Sequence, residues 1–121
     1  MASVLVPLAD GFEEIEAVTV IDLLRRADIE VVVAGLDPGP VTGSHGICVQ
    51  TDMSLADALE RDFDMVVLPG GMPGADHLEA DERLRDLVRR RRDDDGVERR
   101  LFGPAGVAVT DADRDVVVAE A

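Results

Sequence analysis

The segment 64–75 constrains the fold more than any other part of this 121-residue chain. Its apolar residues 65–68 indicate a buried strand, and the glycine pair Gly70 and Gly71 then turns the chain into the start of a helix. Paired glycines let a backbone turn sharply and approach a ligand without interference from Cβ atoms. The N–H groups of such a turn can hold an oxyanion or a carboxylate, although the same pattern often serves packing alone.

The rest of the chain predicts a single α/β domain with a largely parallel sheet. An apolar run at 4–8, a helical pattern from Glu13 to Ala27 and a second apolar run at 29–36 form a strand–helix–strand unit. Because three Phe are the only aromatic residues, Val, Leu, Ile and Ala must build the core. Such cores suit parallel strands that helices cover on both faces.

The later elements follow the same alternation up to the end of a long helix. The pattern predicts a small extended excursion at 41–49, a short helix at 55–61, the strand at 65–68 and a helix that begins at Asp81. Beyond Gly96 the segment 97–102 is too charged for the central strand expected there. Residues 106–109 and 116–119 favour two short strands with a turn between them.

The charge pattern argues against anionic binding partners and indicates an environment of high salt. A net charge of −14 argues against binding to nucleic acid or to anionic membrane surfaces. Lys is absent, all twelve basic residues are Arg, and such an acidic surface is typical of proteins adapted to high salt. No apolar stretch has membrane-spanning length, and Cys48 is the only cysteine, so a cytoplasmic location is expected.

Several motifs in one order resemble the ThiJ/PfpI family, which includes the Parkinson-associated protein deglycase and belongs to the class I glutamine-amidotransferase-like superfamily. The similarity is collinear from about Val4 to Arg92. The segments that carry it are Leu5-Val6-Pro7-Leu8-Ala9-Asp10-Gly11-Phe12-Glu13-Glu14-Ile15-Glu16, Ala34-Gly35-Leu36, Gly43-Ser44-His45-Gly46 and Val67-Leu68-Pro69-Gly70-Gly71.

The resemblance implies a flavodoxin-like three-layer sandwich, a homodimer and cysteine-dependent chemistry on small carbonyl compounds or their adducts, without a cofactor or metal. Glyoxalase, deglycase and peptidase-like activities all occur in the family. The implied catalytic carboxylate is Glu16, and Gly70 and Gly71 are the implied oxyanion donors. Without the resemblance, Glu16 reads as an acid that the helix dipole favours in a first turn.

The chain departs from the family where the reactive cysteine is expected. That cysteine follows an apolar strand about 30 residues after the glycine pair, where this chain has Leu101 and Phe102. Cys48 precedes this position and is interpreted as a small buried or half-buried hydrophobic residue rather than a substitute nucleophile. His45 and His77 do not match the family's histidine and are interpreted as surface residues.

Residues 1–95 are therefore predicted to be family-like, and 96–121 to be a divergent tail that leaves the domain truncated relative to its family. A displaced reading frame near residue 96 and a natural paralogue both remain possible origins of the tail. The predicted outcome is a family member that is inactive because it lacks the nucleophile. The alternative is a non-catalytic module, either dimerising and stress-related or using the glycine turn to bind anions.

Overall fold

The computed structural model of the chain describes residues 2–95, 107–109 and 115–119, with side chains up to residue 90. In these ranges none of the helices is both long enough and apolar enough to cross a membrane. The elements, in chain order, are β1 (Ser3–Leu8), α1 (Glu14–Arg26), β2 (Glu30–Gly35), β3 (Val41–Thr42), β4 (Cys48–Val49), β5 (Met53–Ser54), α2 (Leu55–Ala58), β6 (Met65–Leu68), α3 (Gly74–Ala80), α4 (Glu82–Asp95), β7 (Val107–Val109) and β8 (Asp115–Ala119).

Six strands form one sheet in the order β5-β2-β1-β6-β8-β7, and β3 pairs with β4 in a separate two-stranded sheet. Every neighbouring pair in the large sheet is parallel except β7 and β8. The predicted α/β fold with a largely parallel sheet is therefore confirmed. The predicted excursion at 41–49 and the two short strands of the tail are also present.

Alternate residues of the central strands supply two separate cores, one on each face of the sheet. Leu5, Val32 and Val66 pack with buried residues of α2, α3 and α4. Val6 and Val33 pack with α1 on the opposite face. Because strand side chains alternate between faces, apolar runs of this kind fill both cores at once. The result is the predicted three-layer sandwich.

Helix α1 has the predicted position, but its apolar residues do not all face the core. Glu13 is the N-cap, and its side chain accepts the N–H of Ile15. The repeat that predicts the helix divides between two environments, since Ile21 and Leu24 pack against the core whereas Ile15 and Val18 are exposed. An apolar face of α1 is thus left on the surface.

The region after the glycine turn differs from the sequence-based expectation. The helix start predicted after the glycine pair is a separate helix, α3, which ends before α4 begins. Before the glycine turn, the short helix α2 ends at Ala58 rather than at Arg61. Asp81 lies between α3 and α4 in an extended conformation, and its carboxylate accepts the N–H groups of Arg83 and Leu84. This cap stops one helix and starts the next, because it satisfies N–H groups that a helix start leaves unpaired.

The strand that extends the sheet beyond β6 is β8. Leu68 of β6 pairs with Val118 of β8, so β8 runs toward the same edge of the sheet as the glycine turn. Leu101 and Phe102, where the family's cysteine is expected, lie outside the described residues.

Candidate functional site

The glycine turn lies at the point where the strand order of the sheet reverses. From β1 the chain crosses to β2 on one side, and it later returns to β6 on the other side of β1. The loops after β1 and β6 therefore meet at the carboxyl ends of two adjacent parallel strands. Open α/β sheets place their ligand sites in this kind of crevice.

Hydrogen bonds join the glycine turn to the first turn of α1. The N–H of Glu13 donates to the carbonyl of Gly70 over 2.9 Å. The N–H of Gly70 donates to Oε1 of Glu16 over 3.1 Å, and this contact links residues 54 positions apart. The structure therefore brings together two of the three predicted site residues, Glu16 and Gly70.

Gly71 completes the turn in a conformation that requires glycine. Its φ is +100°, and a Cβ at this position would overlap the backbone nitrogen of Glu13 and lie 2.8 Å from the carbonyl oxygen of Gly11. Its carbonyl accepts the N–H of Ala75, the second residue of α3. No acceptor for the Gly71 N–H is found among the described residues, whereas the Gly70 N–H is occupied by Glu16.

Cys48 does not belong to this arrangement. It lies on β4 of the two-stranded sheet and is exposed, so the prediction of a buried or half-buried residue is wrong. His77 is on the exposed side of α3. Within the described ranges, neither a thiol nor an imidazole donates to or accepts from Glu16, Gly70 or Gly71.

A second cluster, which the sequence reasoning missed, surrounds the buried carboxylate of Glu14. Glu14 is 5% exposed, and its Oε2 accepts the N–H groups of His45 over 2.8 Å and Ile47 over 3.2 Å. Its Oε1 accepts from the Ser44 hydroxyl over 3.3 Å and lies 3.0 Å from His45 Nδ1. Gly43 makes room for this carboxylate, because a Cβ there would overlap it.

These contacts shift the pKa values of both partners. Burial by itself raises the pKa of Glu14, but the hydrogen bonds from the His45 ring and from backbone N–H groups outweigh it and lower the pKa to about 2. The pKa of His45 is raised, chiefly by its hydrogen bond to Glu14 and by the charges of Glu14 and Glu13. The pair is thus an ionised carboxylate beside an imidazole that readily takes a proton.

In the described part of the chain, the side chains that come close enough together to bind one metal ion belong to this same cluster. One ligand atom each from Glu13, Glu14 and His45 lies within 4.8 Å of the other two. Asp76, His77 and Glu79, which are close together in the sequence, do not converge in this way. The sequence signal for this cluster is the motif Gly43-Ser44-His45-Gly46, in which the sequence alone indicates only that His45 is a surface residue.

The protein has a mostly parallel sheet covered by helices, and at the switch point of this sheet a glycine turn faces a glutamate. These features define a flavodoxin-like α/β protein with a candidate oxyanion site. The family model of the DJ-1/PfpI family matches residues 2–97. The chain belongs to this family, and the resemblance to ThiJ/PfpI proteins is confirmed.

Individual relatives agree with this assignment. Drosophila melanogaster protein dj-1beta is 44% identical over 88 residues, which are 72% of this chain and 47% of that protein. A deglycase of Thermococcus kodakarensis is 38% identical over 68 residues, 56% of this chain and 41% of the deglycase. The structure of oxidized DJ-1 from Toxoplasma gondii matches with a TM-score of 0.80 and 27% identity, covering all of this chain and 83% of that one. The chain spans less than half the length of these curated relatives.

Proposed function

We propose that this chain carries the carboxylate and oxyanion side of a DJ-1/PfpI site for small carbonyl compounds or their adducts, and that it is inactive by itself. The observation that carries the proposal is the Glu16 Oε1 to Gly70 N–H hydrogen bond at the switch point. The relative named as a deglycase supports a carbonyl-adduct substrate. Inactivity is proposed because Cys48 is the only thiol and lies on β4.

In this proposal the two glycines have different roles. The Gly70 N–H orients Glu16, whereas the N–H of Gly71 remains available for a developing oxyanion. A thiolate that attacks a carbonyl carbon forms the C–S bond while the carbonyl electron pair moves to oxygen, where the Gly71 N–H stabilises the charge. Glu16 would hold or exchange the proton of the thiol. Because the Gly70 N–H already donates to Glu16, it is not available to a bound anion, and this disfavours the anion-binding alternative.

Methylglyoxal consumption tests the proposed inactivity. We expect the purified chain to consume methylglyoxal no faster than buffer does, and Cys48→Ala to behave identically, because Cys48 is not placed to attack a substrate at Gly71. The same assay on an active member of the family is the positive control. Turnover well above the buffer rate that survives Cys48→Ala would show that the chemistry has been misassigned.

A second proposal concerns the predicted homodimer, which is supported by an exposed apolar surface at the start of α1. Its members are Ile15 (77% exposed), Val18 (47%) and Ile47 (55%). Ile15 and Val18 are neighbours on one helix face, and the backbone of Ile47 is bonded to Glu14. Large apolar residues clustered in this way are typical of protein interfaces. We infer that a second copy of the chain covers this surface.

Sedimentation velocity tests the dimer. Wild type is expected to sediment as a dimer and Ile15→Glu as a monomer, because a charge in the centre of an apolar interface loses its hydration without gaining a partner. Leu23→Glu is the matched control, since Leu23 is also an exposed apolar residue of α1 but lies about two helical turns beyond Ile15. A monomeric wild type, or an Ile15→Glu variant that stays dimeric, would refute the proposal.

A further inference from the structure

We propose that Glu13, Glu14 and His45 form a binding site for a divalent transition-metal ion such as Zn²⁺. These residues come from two parts of the fold, since Glu13 caps α1, Glu14 begins it, and His45 lies in the turn between β3 and β4. The site is separate from the proposed reaction site, whose groups are Glu16 and Gly71. It also differs from the expectation that the protein holds no metal.

The spacing of the ligand atoms fits such an ion. Protein ligands lie about 2.0–2.2 Å from zinc, so two of them in a tetrahedral site are roughly 3.3–3.5 Å apart. His45 Nδ1 and Glu14 Oε1 are 3.0 Å apart, close to that separation. The three ligand atoms lie within 4.8 Å of one another, so the Glu13 carboxylate needs to approach by at most about 1.5 Å.

The Glu13 side chain is free to make this movement. Its contact to the N–H of Ile15 is 3.4 Å long, at the weak end of hydrogen-bond distances. The Glu14 carboxylate, in contrast, is fixed by the N–H groups of His45 and Ile47 and by its packing against Gly43. One rigid and one adjustable carboxylate, together with an imidazole, therefore form a largely preformed donor set.

The chemistry of the donors selects the class of ion. Imidazole suits zinc and other late first-row ions, whereas calcium and magnesium prefer all-oxygen sites. The His45 side chain is 70% exposed, so an ion has an entry path, while Glu14 is 6% exposed at its side chain. Three protein ligands leave one tetrahedral position open for water, as in metal sites that exchange ligands.

Metal binding by the full chain, measured by calorimetry with ZnCl2 after chelator treatment, tests the site. Wild type is expected to bind one ion, and His45→Ala and Glu13→Gln are each expected to weaken binding at least tenfold. His77→Ala and Glu60→Gln are the matched controls, because both residues are exposed and lie outside the cluster. They should bind zinc as wild type does, and excess Mg²⁺ should not compete.

Two further measurements keep the outcome unambiguous. Thermal melting without metal shows whether each variant is folded, and His45→Gln replaces His45→Ala if the latter is not. The visible spectrum of the Co²⁺ complex should show the strong bands of tetrahedral coordination in wild type and lose them in the His45 variant. The proposal is overturned by an absence of saturable zinc binding, by wild-type affinity in either cluster variant, or by loss of binding in His77→Ala.

Discussion

Gly71→Ala is expected to lower the free energy of unfolding by about 3–5 kcal/mol, measured as a shift of the urea midpoint. Two destabilising effects, backbone strain and steric overlap, add at this position. The φ of +100° is strained for a residue with a Cβ, and the new methyl group would overlap the backbone of Glu13. Neither contact atom is a flexible side chain, so the loops after β1 and β6 must separate to make room.

Gly39→Ala separates the two effects. Gly39 has nearly the same φ, +105°, but a Cβ there would meet nothing within 4 Å. This variant should therefore lose only about 1–2 kcal/mol, the strain of the backbone conformation alone. If both variants lose the same amount, the close approach of the glycine turn to α1 does not contribute to stability, and the described packing of the two loops is wrong.

Most of the large sheet is predictable from the sequence, because the burial of its strands on both faces leaves continuous apolar runs. β6 has the predicted bounds of 65–68, and α1 matches within one residue at either end. The sequence predicts a helix start after the glycine pair but not the bounds of α3, because this helix has seven residues, an N-cap at Pro73 without a side-chain hydrogen bond, and little apolar periodicity. Its separation from α4 depends on Asp81, whose capping role requires the fold to be known.

The sequence predicted contacts within the site only where the family resemblance indicated which residues face each other, as for Glu16 and the glycine turn. Glutamates occupy the N-cap of α1 and two positions of its first turn, and their sequence positions do not reveal that Glu16 faces the turn after β6 whereas Glu14 faces the β3–β4 loop. Both contacts join residues more than 30 positions apart and depend on strand order. The exposure of Ile15 and Val18 was also hidden, because a regular apolar repeat normally indicates a single buried face.

Glu14→Ala is expected to release the β3–β4 loop from α1. The Glu14 carboxylate accepts two backbone N–H groups, those of His45 and Ile47, and without it these donors are left to water. Amide hydrogen exchange at His45 and Ile47 should become roughly tenfold faster or more, because the loop opens at a lower free energy. The measurement is residue-resolved exchange by NMR in the metal-free protein.

Glu14→Gln and Ser44→Ala distinguish the possible causes of this release. The amide oxygen of glutamine still accepts the two backbone N–H groups, so Glu14→Gln should keep most of the protection and lose only the charged contact to His45. Ser44→Ala removes the 3.3 Å hydroxyl contact and should change exchange at His45 and Ile47 little. If Glu14→Ala leaves exchange unchanged, other contacts hold the loop. If Glu14→Gln speeds amide exchange as much as Glu14→Ala does, the negative charge rather than the acceptor geometry holds the loop. Glutamine has the same shape as glutamate and differs from it in charge.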